Sequence, residues 1–216
     1  MTDPEPEFGD WSSLHGDASP TGIVGAWLRF VYMVARPLVR LGVSPNAVTL
    51  AGLVLGVGAL WPAGAGSRWP LLAAALIGVS ALLDGLDGAV AVLSDKVTEL
   101  GRRLDHVCDR TTEVGFAVCL WLAGGLLPWS LAGALLALIH EGVRSWARSR
   151  GVTSIGVVTV SERPTRVLVS AMFVLAAGVY PESAADWATM GGIVLTGAGL
   201  LGLGQLILAM RRAFSE

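Results

Sequence analysis

Long apolar runs alternate with short polar segments along most of the chain, and each run has roughly the length of a membrane-crossing helix. About 20 apolar residues cross the hydrocarbon core of a bilayer as a helix. The runs occupy residues 46–65, 69–93, 106–125, 127–146, 166–181 and 186–209. The pattern therefore predicts an all-α, polytopic integral membrane protein with six transmembrane helices.

The segment 21–42, before the first run, has a different pattern. Apolar residues recur there at helical spacing, but Arg29, Arg36 and Arg40 interrupt them. This mixture is typical of an amphipathic helix that lies along the membrane surface. The alternative, a first transmembrane span, would have to bury three arginines. A turn at 42–46, which contains Pro45, is predicted to end this helix and start the next.

Residues 1–20 read as a polar lead-in. They carry acidic residues and no basic ones, which predicts disorder. The basic start and apolar run of a secretory signal peptide are missing, so we expect the N-terminus to stay in the cytoplasm. The predicted organisation is a disordered segment 1–20 followed by one membrane domain, 21–216, whose spans lie within 46–209.

Composition and charge agree with a membrane protein and give it an orientation. The 216 residues are 53% hydrophobic and 15% charged, whereas soluble domains are about 25% charged. With six spans, all basic residues except Arg68 fall on the side of the termini, which the positive-inside rule makes cytoplasmic. Nucleic acid is not an expected partner. Cys108 and Cys119 are interpreted as buried structural thiols.

Four aspartates lie beside or inside these apolar runs. Asp84 and Asp87 are three residues apart, and Asp105 and Asp109 are four apart, so each pair shares one face of a helix. A carboxylate at membrane depth costs about 2.5–3.5 kcal/mol, which indicates a function. Carboxylate oxygens suit Mg²⁺ or Mn²⁺, and two such ions about 3.5–4 Å apart are a known arrangement for phosphoryl-type displacement.

The spacing of these residues carries a more specific signal. The stretch reads Asp84-x2-Asp87-Gly88-x2-Ala91-Val92-x8-Gly101-x3-Asp105-x3-Asp109. It closely resembles the signature of the CDP-alcohol phosphotransferase family of membrane enzymes, also called CDP-alcohol phosphatidyltransferases. The departure is Val92, where the family usually has an arginine that helps to hold the CDP-linked donor. Lys96, Arg102 and Arg103 are candidates to replace that arginine.

The resemblance implies an activity and a role for each aspartate. Members of the family move a phosphatidyl group from CDP-diacylglycerol to a polar alcohol, release CMP and are typically homodimers. By this resemblance Asp84 and Asp105 would bridge two metal ions. Asp87 would bind one ion, and Asp109 would bind the other and act as the catalytic base. The site would open to the cytoplasmic side of the inner or plasma membrane.

Further residues match places where the family contacts the CDP group. They are Asn46, Ala47, Val48, Thr49 and Thr98, together with Gly88 and Gly101, whose missing side chains allow close approach of a ligand or helix. Two alternatives stay open. Gly101 could serve helix packing alone, and Asn46 could cap the helix that starts at Pro45.

A basic cluster supplies candidates for the acceptor site. Arg144, Arg163 and Arg166 could bind an acceptor phosphate through their guanidinium groups, or could be interfacial anchors. The segment Glu162-Arg-Pro-Thr-Arg166 is similar to that of the bacterial phosphatidylinositol-phosphate synthases of this family. That similarity implies inositol 1-phosphate as the acceptor. His140 and Glu141 could line the same pocket.

Other functions stay open at the level of sequence. Glycerol 3-phosphate, the acceptor of a phosphatidylglycerophosphate synthase, also offers a phosphate to the arginines. The chain could instead bind CDP-lipid without turning it over. A divalent-cation transporter would also need carboxylates in the membrane, but it predicts acids that are reachable from both sides, whereas these lie towards one side.

Overall fold

The computed structural model describes residues 22–150 and 158–213, and every regular element in these two ranges is helical. The predicted disordered segment 1–20 lies outside the described residues. A short 3₁₀ turn, Pro181–Ser183, precedes the last helix. The helices are α1 Gly22–Arg40, α2 Pro45–Gly58, α3 Leu60–Gly64, α4 Pro70–Leu93, α5 Glu99–Leu122, α6 Leu127–Ser149, α7 Arg163–Val179 and α8 Ala184–Ala213.

Each of the six apolar runs is helical in the structure. Within the two described ranges, three helical stretches are long and apolar enough to cross a membrane: Pro45–Gly64, which combines α2 and α3, Pro70–Leu93, and Pro181–Arg211. The predicted all-helical membrane protein is confirmed at this level. The segment 21–42, predicted as a surface helix, contains α1.

The start of α5 differs from the sequence prediction. The predicted apolar runs end at residue 93 and resume at residue 106, but α5 already begins at Glu99. The hydroxyl of Thr98 accepts a hydrogen bond from the backbone N–H of Gly101, as an N-cap residue does. Asp105 and Asp109 therefore lie inside a regular helix, and their relative positions are set by its geometry.

The chain forms two compact units, each built from two separate stretches of sequence. Of the described residues, the first unit comprises 22–53 and 80–109. It contains α1, the first part of α2, the second part of α4 and the first part of α5. Its apolar core consists of Val31, Ala35, Val48, Leu86, Ala89 and Val90. In addition, the Ser80 hydroxyl of α4 donates a hydrogen bond of 2.7 Å to the carbonyl of Gly52 in α2.

Two helices of the first unit end in the same way. After α1, Gly42 has φ +73°, and the N–H of Val43 bonds back to the carbonyl of Leu38. After α4, Asp95 takes the left-handed role with φ +53°, and the N–H of Lys96 bonds to the carbonyl of Ala91 at 2.9 Å. Both are Schellman motifs, which fix the chain direction just beyond the helix.

The second unit comprises residues 54–79 and 110–216. Its largest buried apolar side chains include Ile77, Phe116, Leu120 and Val174. Both α6 and α7 pack against α8. Glycines allow the close approach of α6 to α8: a Cβ at Gly199 would lie 2.8 Å from Leu136 Cβ, so a larger residue there would push the helices apart.

Candidate metal centre and adjoining cavity

Three of the four predicted aspartates meet in the first unit. One carboxylate oxygen each from Asp84 on α4 and from Asp105 and Asp109 on α5 lie within 4.8 Å of one another, and all three residues are half-buried. We call these three residues the acidic cluster. Like charges this close repel each other, and a divalent cation relieves that repulsion. The carboxylate donors also match the oxygen preference of Mg²⁺ and Mn²⁺, so the cluster fits such an ion.

Asp87 is placed differently from the other three aspartates. It lies on α4 one turn after Asp84 but is not part of the acidic cluster. It is 6% exposed, and its Oδ2 accepts a hydrogen bond of 2.5 Å from the hydroxyl of Thr49, which is also 6% exposed. The direction of the Asp87 carboxylate is therefore fixed by α2.

A cavity of about 300 Å³ lies within the first unit. Its size is at the lower end of the range for small-molecule sites, about 300–1,000 Å³. Because Asp105 belongs to both the lining and the acidic cluster, the cavity adjoins the candidate metal centre. The lining residues are Pro45, Asn46, Thr49, Asp87, Gly88, Ala91, Val92, Lys96, Val97, Thr98, Gly101, Arg102 and Asp105.

Six of the eight residues predicted to bind the donor line this cavity: Asn46, Thr49, Gly88, Val92, Thr98 and Gly101. The other two, Ala47 and Val48, are not among the lining residues. The side chain of Val48 is 4% exposed and belongs to the core, because it faces the opposite side of α2.

The structure addresses the alternative roles of two predicted donor residues, helix capping for Asn46 and helix packing for Gly101. The side chain that caps α2 is that of Ser44, whose hydroxyl accepts from the N–H of Ala47 at 3.3 Å, so Asn46 is available to the cavity. A Cβ at Gly101 would lie 3.0 Å from Thr98 Oγ1 and 3.1 Å from Asn46 Oδ1, so a larger residue there would have to displace these two side chains of the cavity lining. A Cβ at Gly88 would meet nothing within 4 Å and would extend into open space.

The predicted acceptor residue Arg166 lies in the second unit, where it is buried and paired. It is 4% exposed, forms ion pairs with Glu113 and Glu141, and donates to the backbone carbonyl of Ser161. Arg110 pairs with the same two carboxylates, at 2.7 Å and 3.5 Å. We call Arg110, Glu113, Glu141 and Arg166 the ion-pair cluster.

Arg144 takes part in a second, smaller network. Its guanidinium forms an ion pair of 2.6 Å with Glu162, which also accepts from the N–H and hydroxyl of Thr159. Since that hydroxyl donates to Glu162, it accepts from Nε2 of the fully buried His140 at 3.0 Å. His140 thus holds a loop residue. Arg163, the third predicted arginine, is half-buried at the start of α7.

The bonds to Glu162 also shift its acidity. Partial burial alone would raise the pKa of Glu162, but the hydrogen bonds from Thr159 and Arg144 outweigh it and hold the pKa below the ordinary value of 4.5. The carboxylate is therefore charged at neutral pH and anchors the segment before α7 to α6.

Two features of these sites were not predicted from the sequence. One is the hydrogen bond from Thr49 to Asp87, and the other is the pairing of Glu113 with two arginines. A signal existed for Glu113, because it is an acidic residue in the middle of the apolar part of α5. Buried charges of this kind are paired, but the sequence does not name the partner.

Comparison with known proteins agrees with this geometry. The CDP-alcohol phosphatidyltransferase family matches residues 42–201. A phosphatidylinositol phosphate synthase from Corynebacterium glutamicum is 34% identical over 174 residues, which are 76% of this chain and 78% of that protein. An archaetidylinositol phosphate synthase from Pyrococcus horikoshii is 29% identical over 163 residues, 72% of this chain and 84% of that one.

Solved structures show the same fold. The phosphatidylinositol phosphate synthase of Mycobacterium tuberculosis in complex with manganese and citrate superposes with a TM-score of 0.68 at 24% identity, covering 83% of this chain and 88% of that one. Its complex with CDP-DAG gives a TM-score of 0.63 at 26% identity, covering 84% and 93%. The fold and the acidic cluster define a metal-dependent membrane transferase. The chain belongs to the CDP-alcohol phosphatidyltransferase family.

Proposed function

We propose that this protein transfers a phosphatidyl group from CDP-diacylglycerol to inositol 1-phosphate and releases CMP. The observation that carries the proposal is the acidic cluster at the edge of a 300 Å³ cavity lined by residues of the donor signature. The names of the two relatives and of the mycobacterial structures support inositol phosphate as the acceptor. Glycerol 3-phosphate is the second candidate.

The aspartates are assigned roles that follow from their positions. Asp84, Asp105 and Asp109 would hold Mg²⁺ or Mn²⁺, and Asp87 would complete a site for two ions. A bound divalent cation supplies positive charge for the donor's diphosphate and for the leaving phosphate. Asp109 accepts the proton of the attacking acceptor hydroxyl. Thr49 keeps the Asp87 carboxylate in one orientation through its hydrogen bond.

The arginines of the second unit divide into two roles. Arg163 and Arg144 are proposed to bind the acceptor's phosphate, for which guanidinium groups are well suited. Arg166 was predicted to share that role. Its burial and its ion pairs with Glu113 and Glu141 favour a supporting role, in which it orders the segment before α7.

The arrangement in the membrane is part of the proposal. Six crossings by α2 with α3, α4, α5, α6, α7 and α8 put both termini and the cavity on the cytoplasmic side, in agreement with the distribution of basic residues. In this arrangement α1 lies on the membrane surface, and the membrane domain functions as a homodimer.

The test is CMP release from purified protein in detergent or nanodiscs. CDP-diacylglycerol and Mg²⁺ or Mn²⁺ are supplied with inositol 1-phosphate, glycerol 3-phosphate, free inositol or serine, each in a separate reaction. We expect release to depend on inositol 1-phosphate and to stop when the metal is chelated. Asp84→Asn is the matched inactive control, since it keeps the side-chain shape.

Two other outcomes would indicate a different function for this protein. Release with glycerol 3-phosphate alone would identify the second candidate. CDP-diacylglycerol binding without release for any acceptor would overturn the transferase proposal and leave a lipid-binding protein.

A further inference from the structure

The cavity of the first unit contains both signs of charge. Asp87 and Asp105 lie on the side of the metal centre, and Lys96 and Arg102 are its basic lining residues. A nucleoside diphosphate brings negative charge into this cavity. Metal ions at the carboxylates neutralise part of that charge, and a basic side chain is needed where the diphosphate extends away from them.

The two basic residues differ in whether they already form an ion pair with an acidic side chain. Arg102 forms an ion pair with Glu99, which also pairs with Arg103 at 3.2 Å. Lys96 is exposed, and its ammonium group pairs with no carboxylate in the part of the chain that the structure describes. Binding an anion therefore costs Lys96 no existing partner, whereas Arg102 would have to leave Glu99.

The backbone of Lys96 is held at the edge of the cavity. It is the last residue of the Schellman motif after α4, where its N–H bonds to the carbonyl of Ala91 and Asp95 N–H bonds to that of Val92. A lysine on a flexible loop loses much side-chain and backbone freedom on binding. Here the motif has already fixed the backbone, so that part of the entropic cost is removed.

We infer that Lys96 binds the diphosphate of the nucleotide donor and supplies this cavity with positive charge in addition to that of the metal centre. Val92, in the last turn of α4, lines the same cavity but contributes only an apolar surface. The inference rests on the proposed function and assigns to that site a residue outside the four aspartates.

The experiment measures the affinity of the purified full chain for CDP by calorimetry in the presence of Mg²⁺. Lys96→Gln is expected to weaken CDP binding about tenfold, which is typical of the loss of a hydrogen bond to a charged group. Lys96→Arg is expected to bind within about threefold of the wild type because it keeps the charge. Arg103→Gln removes a neighbouring charge that does not line the cavity, and is expected to change nothing.

A positive charge placed at a neighbouring position tests whether Lys96 acts through its charge or through an effect on folding. Because Val92 lines the same cavity, Val92→Arg in the Lys96→Gln background puts a cation back beside the diphosphate. We expect this double variant to regain most of the lost affinity. Mn²⁺ binding to the acidic cluster and the thermal stability of Lys96→Gln should match those of the wild type.

Several results would contradict the role of Lys96 or the proposed function. CDP binding by Lys96→Gln within twofold of the wild type, an equal loss in Arg103→Gln, or a double variant no tighter than the single one would each overturn the assignment. Wild-type protein that binds CDP but releases no CMP would overturn the proposed transfer, while the affinities still decide the role of Lys96. Wild-type protein that binds no CDP would overturn both.

Discussion

Asp87 of the first unit and Glu113 of the second are buried to similar degrees but have different neighbours. In the first unit Asp87 is 6% exposed and bonds to a neutral hydroxyl, beside three further carboxylates gathered within 4.8 Å. In the second unit Glu113 is 5% exposed and pairs with Arg110 and Arg166. The ion-pair cluster balances its own charge, whereas the acidic cluster gathers charge of one sign. The ion-pair cluster of the second unit would therefore be disturbed by the loss of one partner, whereas the acidic cluster of the first unit suits a bound cation.

The largest effect expected from this difference is on activity in the first unit. Asp109→Asn should lower CMP release by about 10²–10⁴-fold, because it removes the base but keeps the shape of the side chain. Part of the Mn²⁺ binding should remain, and the thermal stability should be unchanged. CMP release and Mn²⁺ titration measure the two properties. Asp186→Asn, an exposed aspartate near the start of α8, is the control and should behave as the wild type. Turnover within tenfold of the wild type would show that another group takes the proton.

In the second unit the largest effect should be on stability. Arg166→Met should destabilise the fold by about 3–5 kcal/mol, because it leaves Glu113 buried with one partner fewer. Adding Glu113→Leu removes that charge as well and leaves Arg110 paired with Glu141, so the double variant should recover much of the loss. Unfolding in detergent, followed by circular dichroism, provides the measurement. A stable Arg166→Met protein with a raised Michaelis constant for the acceptor would restore the role predicted from the sequence.

A smaller effect should follow when the orientation of Asp87 is disturbed. Thr49→Val keeps the volume of the side chain but removes the hydroxyl, and should weaken Mn²⁺ binding about tenfold, as changes beside a metal ligand typically do. Thr49→Ser keeps the hydroxyl and should retain most of the affinity. Electron paramagnetic resonance of free Mn²⁺ measures binding without turnover. Equal affinities in both variants would show that the hydrogen bond does not position the carboxylate.

The arginines outside the ion-pair cluster test whether the second unit also binds substrate. Arg163→Ala should raise the Michaelis constant for the acceptor several-fold and that for CDP-diacylglycerol much less, because in the proposed site Arg163 binds the acceptor's phosphate and not the donor's diphosphate. Arg148→Ala, an exposed arginine in the last turn of α6, is the matched control. Equal changes for both substrates would instead support a role as an interfacial anchor.

The smallest effect concerns pH and Glu162. The pKa of Glu162 lies below 4.5 in the folded state. Between the folded and the unfolded pKa values the unfolded state therefore binds more protons than the folded state, and stability rises with pH. The stabilisation is complete above about 4.5 and is lost as the pH falls through the folded value. The difference in melting temperature between wild type and Glu162→Gln should therefore shrink as the pH drops below 4.5. A difference that is constant with pH would mean that the charge of Glu162 contributes nothing.

The acidic cluster could be predicted because its geometry is local. This holds for Asp105 and Asp109, which are one helical turn apart, whereas Asp84 lies on α4 and was connected to them only by the resemblance to the family signature. The start of α5 was placed too late, because Glu99 and the arginines after it ended the apolar run, and the cap at Thr98 was not considered. The local apolar pattern therefore predicted the helices but not all of the residues at which they begin and end.

Long-range pairs could not be predicted in the same way. Nothing near Arg166 in the sequence indicates that Glu113, 53 positions earlier, is its partner. The side of α2 that Val48 faces also depends on where α1 and α4 pack, so the four-residue segment 46–49 could not be divided into core and cavity residues in advance. Such divisions depend on tertiary packing, which pattern alone does not contain.

The open space at Gly88 makes this position a place for a chemical label. A Cβ there meets nothing within 4 Å, and the two native cysteines, Cys108 and Cys119, are buried. In a Gly88→Cys variant the introduced thiol should therefore be the one that reacts readily. A maleimide that cannot cross membranes, applied to right-side-out and to inverted vesicles, would then report which compartment supplies the cavity with nucleotide.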